Sequence, residues 1–326
     1  MNYGQEIIDI IRKKSTKDNE LLFNPWGLVI DTTLLCNNSC SFCWRANFPE
    51  YLKKANQKYK IKTMPFETYK KIIDDACQYD SINWLSLCGP MGEPLLNDRI
   101  EDFFEYACNK HHFNRISINT NGLVIDKRDI GRLLNSITEF SISVDSIQPK
   151  TYEKIHGHGN LEKVIDNIRK CVEYKKQNGS LADIWVRFTE SKHNVGQISE
   201  FIEFFKELGV DYILYLHEHS FAGVNKSLNS LSTVHDCTQP YQIINFNFLG
   251  EMTTCCVNWH FDPVFGNIND KTIKQTWESA KKRIWNLKSK SMFLPKPCNN
   301  CSGLGDKVAQ STIINCKEDN IKEGNP

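Results

Sequence analysis

The chain predicts an α/β fold built on a parallel sheet, and three observations carry the prediction. Between about residues 25 and 220, short apolar, β-branched runs alternate with longer helical patterns. Apolar residues in the longer stretches recur at three- and four-residue spacing, as Phe201, Phe204, Phe205 and Leu208 do. Turn residues punctuate the junctions: Pro65 suits a first helical turn, and Gly209 stops the last helix.

In chain order, the predicted strands are Leu28–Thr32, Ile82–Leu87, Arg115–Asn119, Glu139–Val144, Ile184–Thr189 and Tyr212–Leu216. Helical patterns cover Pro65–Tyr79, Asp98–Lys110, Asp126–Leu134, Leu161–Lys176 and Gln197–Leu208. Right-handed βαβ repetition over these strands gives either an open doubly wound sheet or a curved partial barrel, and pattern alone does not choose. Residues 1–24 read as an N-terminal helical extension, 25–220 as the main domain, and the Asn-, Ser- and Gly-rich stretch 221–236 as a linker. Within 237–303, Tyr241–Phe248 and Met252–Val257 read as two strands about a Gly250-Glu251 turn, followed by helix Lys271–Leu287; residues 304–326 read as a polar tail.

Forty Lys plus Arg against 39 Asp plus Glu leave a formal charge of +1, so no global field points to nucleic acid or an anionic membrane. No stretch is apolar over the ~20 residues a membrane helix needs. The first residues lack a signal-peptide core, so a cytoplasmic location is expected. Thirteen cysteines without a secretory signal point to metal rather than disulfides.

Seven of these cysteines fall into two spaced groups. Cys36-Asn-Asn-Ser-Cys40-Ser-Phe-Cys43 follows the first strand as a polar turn. Three thiolates at this spacing can ligate three irons of a four-iron four-sulfur cluster and leave the fourth open to chemistry. The second group is Cys237, Cys255 with Cys256 beside it, and Cys298-Asn-Asn-Cys301; its two-residue knuckle suits zinc and iron–sulfur alike.

C-x3-C-x2-C with Phe42 before the last cysteine resembles the signature of the radical S-adenosylmethionine (radical SAM) superfamily. The resemblance implies a partial (β/α)6 barrel, with SAM chelated by the open iron and cleaved to a 5′-deoxyadenosyl radical that abstracts a carbon-bound hydrogen. It also implies an external electron donor such as flavodoxin or ferredoxin. Cys88-Gly-Pro-Met-Gly92-Glu93-Pro94 is similar to the family's Gly-Gly-Glu-Pro turn, which meets the SAM amino group, although Met91 stands at the first Gly. Asn119, Ser143 and Asp145 end strands in runs that resemble the family's SAM pocket. Arg187, a charge in an apolar strand, is expected to reach a carboxylate, SAM's or a structural partner's. Trp44, Phe48 and Tyr51 are placed to shield the cluster loop or pack on it.

The second cysteine group, with Gly266-Asn-Ile268 and Trp277 between its members, resembles the SPASM/twitch extension of the same superfamily. That resemblance implies one auxiliary [4Fe-4S] cluster on Cys237, Cys255, Cys298 and Cys301. Alternation along a strand would turn Cys256 away from Cys255, where its thiol could give a hydrogen atom to a substrate radical. A peptide or a small polar molecule is the expected substrate, with oxidation, epimerisation or crosslinking in peptide or natural-product maturation as the outcome. Sugar or aminocyclitol dehydrogenation or epimerisation is the alternative within the family. From another class, a non-catalytic zinc or iron–sulfur scaffold also accommodates the cysteines.

Overall fold

The computed structural model describes residues 25–218, 224, 239–260, 262–280, 301, 311–317 and 321–323. The expected N-terminal extension, nearly all of the 221–236 linker, Cys237 and Cys298 lie outside these residues.

Six parallel strands form the centre: β1 (Gly27–Ile30), β2 (Trp84–Leu87), β3 (Arg115–Thr120), β4 (Glu139–Ser143), β5 (Asp183–Glu190) and β6 (Tyr212–His217). They lie side by side in sequence order. Right-handed crossovers between sequential strands put every connecting helix on one face, the arrangement of a (β/α)6 partial barrel. Helices at Phe66–Ala76, Ile100–Cys108, Ile130–Ser136, Leu161–Asn178 and Ile198–Leu208 fill those crossovers. Each matches an apolar periodicity in the sequence. A sixth helix, Pro149–His156, was not evident from periodicity. It is short and mostly polar, but Pro149 opens it and Gly157, at φ +79°, closes it.

The two faces of the sheet differ in chemistry. Toward the helices point Leu28, Leu85, Ile118, Ile142, Val186 and Phe188, all fully buried. Phe188 meets Phe201 edge-on at 5.0 Å, which ties β5 to the last crossover helix. Burying one such side chain is worth roughly 1.5–3 kcal/mol. The opposite, inner face carries Ser86, Ser117, Asn119, Ser141, Ser143 and Arg187 instead. Its lower end is plugged: Trp26 stacks on Trp84 at 5.2 Å, and the Trp84 indole N–H donates to Ser117 Oγ at 3.1 Å. What remains accessible on the inner face is therefore toward the carboxyl ends of the strands.

Both sheet edges are extended. β7 (Ile243–Phe246) pairs in parallel with β1, then β8 (Glu251–Thr253) and β9 (Gly266–Asn267) continue antiparallel. The expected hairpin forms, but β8 ends at Thr253. Residues 273–280 form the described part of the following helix. At the other edge, β10 (Ser311–Asn315) pairs antiparallel with β6, and β11 (Ile321–Glu323) pairs with β10. The stretch read as a polar tail thus supplies two strands. Its apolar residues are few and scattered among polar ones, too little for a strand signal without its partner.

Candidate active site

β1 delivers the chain to the carboxyl end of the sheet, and the Cys36–Cys43 loop begins there. The loop is held from two sides. On one, Ser39 N–H and Ser41 N–H donate to the carbonyls of His156 and Ile155, at 3.2 and 2.7 Å, docking it on the end of helix Pro149–His156. Any side chain at Gly157 would put its Cβ 2.7 Å from the Ser39 carbonyl, so this approach requires glycine. On the other side, the Asn121 amide donates to Asn37 Oδ1 at 2.7 Å. Arg45 donates at 2.9 Å to both the Leu34 and Met91 carbonyls, pinning the loop to the turn that follows β2.

Burial pushes all three thiols up, Cys40 well above its usual range and Cys43 to about 11, and each of these two is raised again by a neighbouring cysteine of the set. No three His, Cys, Asp or Glu side chains among the described residues are grouped for a single metal ion. A tetrahedral ion draws its thiolates in on bonds of about 2.3 Å, whereas a cubane spreads its ligands over separate irons. Three thiols on one loop, each able to take a separate iron, fit the cubane.

Behind Cys40 lies a buried pair absent from the sequence reading. His156 Nδ1 stands 3.5 Å from Cys40 Sγ. Its Nε2 lies 3.1 Å from both the Val144 carbonyl and Asp145 Oδ2. The Val144 carbonyl can only accept, so Nε2 carries a hydrogen and donates it there, while Asp145 Oδ2 lies close without a hydrogen bond of its own. Tyr152 stacks on the imidazole at 4.4 Å. Asp145 adopts φ +61°, a left-handed conformation that aspartate tolerates better than most residues, and accepts the Thr189 N–H at 2.6 Å. Its carboxylate is buried beside His156.

The turn after β2 meets the cluster loop directly. Glu93 N–H donates to the Leu35 carbonyl at 2.7 Å, and a Cβ at Gly92 would fall 2.4 Å from that same oxygen. Glu93 itself is buried and saturated: its carboxylate accepts from Thr120 Oγ1 (2.5 Å), Asn121 N–H (2.8 Å) and Leu95 N–H (3.1 Å). What this turn offers a ligand is therefore main chain, with Glu93 as its internal brace and Pro94 starting a buried 3-10 turn. Asp31, missed in the sequence, accepts the Met91 N–H at 3.0 Å, and burial raises its pKa well above the usual range.

Asn119, Ser143 and Arg187 stand half-buried on the inner face, with Ser143 directly beside Arg187 in register. Among the described residues no carboxylate pairs with the Arg187 guanidinium. The structural partner considered for it is absent from that set, which leaves a cation facing the site. An inner face of hydroxyl, amide and guanidinium groups fits a ligand bearing a carboxylate and a ribose.

In the second group, Cys255 and Cys301 are each 8% exposed, and Cys256 is half-buried. Both Cys255 and Cys256 follow the end of β8, so strand alternation does not separate their directions; burial does. Phe42 is half-buried at the cluster loop. An aromatic file joins the residues after Cys43 to Trp259. Trp44, just after Cys43, stacks on Trp259 at 5.6 Å and 4°, and Phe48 and Tyr51 meet the same indole at 4.8 and 5.4 Å. The Trp44 N–H donates to the Pro90 carbonyl, so the file packs on the turn after β2 as well as on the cluster loop.

Comparison with known proteins agrees with this geometry. Residues 30–202 match the radical SAM superfamily model, and residues 237–302 match an iron–sulfur cluster-binding domain, SPASM. Among curated proteins, a probable GTP 3′,8-cyclase of Methanococcus maripaludis is 24% identical over 185 residues, 55% of each chain. The GTP 3′,8-cyclase of Alkaliphilus oremlandii is 24% identical over 210 residues, 63% of this chain and 62% of its own. The chain thus spans less than two thirds of the curated relatives it matches. Among solved structures, SuiB of Streptococcus suis bound to precursor peptide SuiA has a TM-score of 0.62 at 17% identity, over 84% of this chain and 70% of its own. BtrN in complex with AdoMet and 2-DOIA has a TM-score of 0.54 at 18% identity, over 87% and 94%. At these identities the two structures show the fold alone. The first domain brings SAM and a [4Fe-4S] cluster as its cofactors, and the second brings auxiliary iron–sulfur binding. With more than half of its length matched, the chain belongs to the radical SAM superfamily and carries a SPASM iron–sulfur cluster-binding domain on its C-terminal side.

Proposed function

We propose that the chain is a radical SAM oxidoreductase acting on a carbon–hydrogen bond of a peptide or a small polar natural-product intermediate. The observation that supports this reading most directly is the junction of the Cys36–Cys43 loop with the Gly92-Glu93 turn through Arg45 and the Leu35 carbonyl. It puts three thiols and a ligand-facing main chain at one end of a polar inner face. Cys36, Cys40 and Cys43 hold the cluster, the turn around Gly92 offers main-chain groups to the methionine end of SAM, and Arg187 takes its carboxylate. Asn119 and Ser143 hydrogen-bond the remaining polar groups. With SAM and cluster bound, these groups supply reductive cleavage to a 5′-deoxyadenosyl radical that takes a hydrogen atom from substrate. The residues' own work is to bind, orient and keep water from that radical.

A single auxiliary cluster on Cys237, Cys255, Cys298 and Cys301 is the companion proposal. Cys316, the last cysteine, donates its N–H to the Asp211 carbonyl just before β6, at the end of the sheet opposite the Cys36–Cys43 loop. Cys256, beside Cys255 and half-buried, is retained as the candidate hydrogen-atom donor of an epimerisation. SuiB's peptide and BtrN's small ligand support the two substrate classes equally. Anaerobic reconstitution with iron and sulfide, then dithionite and SAM, tests the reading: iron–sulfur absorption and 5′-deoxyadenosine are expected, and absence of both returns the chain to a binding scaffold. In deuterated water, Cys256→Ala is expected to abolish solvent-deuterium incorporation if epimerisation is the reaction.

A further inference from the structure

A short turn after Cys255 delivers a ring of the C-terminal domain to the other domain's cluster loop. The Asn258 N–H donates to the Cys255 carbonyl at 3.1 Å and the Trp259 N–H to the Val257 carbonyl at 3.0 Å, so the chain passes in a tight turn from that cysteine to Trp259. Trp259 belongs to the residues matched by the SPASM domain, yet its indole packs on residues that follow Cys43. It lies parallel to the Trp44 ring within 4°, at 5.6 Å, and stacks on Phe48 at 4.8 Å. Its remaining ring neighbours grade out to solvent: Tyr51, edge-on at 5.4 Å, is 43% exposed, and His260, at 3.8 Å, is half-buried. Trp259 itself is 2% exposed and Trp44 fully buried. Trp44 is fixed in turn by the Pro90 carbonyl, which accepts its indole N–H. The C-terminal domain thus supplies the outer leaf of an aromatic wall, and its inner leaf is the residue next to Cys43.

We propose that Trp259 is a positioning residue for the cluster of Cys36, Cys40 and Cys43: it seats Trp44 beside Cys43 and shuts water out of that side of the site, which keeps the cluster's reduction potential low. The inference rests on those three cysteines holding the radical SAM cluster. Reduction adds one negative charge to a cluster already bound by thiolates, and water stabilises that charge better than indole rings do. A dry flank therefore makes the reduced cluster a stronger one-electron reductant, the property on which SAM cleavage draws. Because the two indoles are nearly parallel, loss of the Trp259 ring uncovers a whole face of Trp44. The potential of one domain's cluster is then set in part by a side chain of the other domain.

The test is an anaerobic redox titration of the reconstituted full chain. Electron paramagnetic resonance follows the reduced-cluster signal that changes when SAM is added, which marks the cluster with an open iron. Trp259→Phe, Trp259→Leu and Trp259→Ala are compared with wild type, and the midpoint is read per cluster bound, so a lower iron content does not enter. The midpoint is expected to rise in that order, with Trp259→Phe close to wild type. In Trp259→Ala the expected rise is a tenfold shift in the oxidised-to-reduced ratio, about 59 mV for a one-electron couple. Tyr51→Ala, at the exposed end of the wall, is expected to leave the midpoint unchanged. If the alanine variant takes up no cluster, the order of the phenylalanine and leucine variants decides. A midpoint that stays level or falls across the series overturns the proposal, as does a rise in Tyr51→Ala equal to that in Trp259→Ala. Wild-type protein without a SAM-sensitive signal refutes the cluster reading itself, a separate result.

Discussion

The imidazole Nδ1 of His156 lies 3.5 Å from the sulfur of Cys40, across 116 residues of sequence. Helix Pro149–His156 exists in effect to present that ring and two carbonyls to the cluster loop. Because the ring is wedged between Tyr152 and Asp145, the direction of the Cys40 side chain is fixed before any iron arrives. Removing His156 is expected to strand buried groups at a cost of about 1–3 kcal/mol. His156→Ala should show a lowered urea midpoint and less iron per chain after reconstitution, and His156→Gln a smaller loss of both. Unaltered iron content in the alanine variant would contradict the positioning role.

Glu93 is braced by three donors, so its contribution is expected in stability first. In Glu93→Gln an amide N–H₂ replaces one acceptor and faces a donor. About 1–3 kcal/mol of unfolding free energy should be lost, typical of a buried group left without its partner. Urea unfolding of the metal-free chain measures this without any cofactor.

Arg187 faces the site without a carboxylate partner among the described residues. Its replacement should therefore damage ligand binding more than folding. Arg187→Met is expected to weaken SAM binding by about 10- to 100-fold, the loss of one charge-assisted hydrogen-bond set worth roughly 1.5–3 kcal/mol. Equilibrium dialysis against the reconstituted protein is the measurement, with thermal unfolding as the control.

Asp211 supplies a pH dependence far from the cluster loop. Burial alone would raise its carboxyl, but the Ile184 N–H, Lys175 and Lys317 outweigh burial and hold the pKa below the ordinary value. Lys175 lies 2.6 Å and Lys317 2.7 Å from its oxygens. A folded pKa lowered in this way stabilises the protein fully above the unfolded value of about 3.9, and the contribution disappears as pH falls through the folded value. Asp211→Asn should be less stable than wild type at pH 7, and the gap should narrow as acid is added. Urea midpoints at pH 7 and near pH 3 decide it.

The six parallel strands were legible because each buries a continuous apolar, β-branched run, and the crossover helices because each shows one apolar stripe. The Cys36, Cys40 and Cys43 set was legible for a different reason: its ligand spacing is local. What the sequence withheld was long-range. Nothing near His156 announces Cys40, and nothing near Glu93 announces Thr120 and Asn121. Those pairings exist only once β2, β3 and β4 are aligned. Asp145 shows the same limit, because nothing near it in the sequence announces the Thr189 N–H and the His156 ring that its left-handed backbone turns it toward. β10 escaped notice because its strand character is lent by β6.

The pairing of β10 with β6 has an effect on how the protein behaves in company. β6 offers six residues, Tyr-Ile-Leu-Tyr-Leu-His, whose outer backbone groups would otherwise stand bare. Such a rim invites the same segment of another molecule to zip onto it. β10 occupies it along its length and hands the exposed position to β11, three residues long, while β9 blunts the opposite flank with two. The last residues of the chain therefore serve as a stopper: lacking 311–323, the protein should keep its chemistry in principle and lose it in practice, to aggregation through β6.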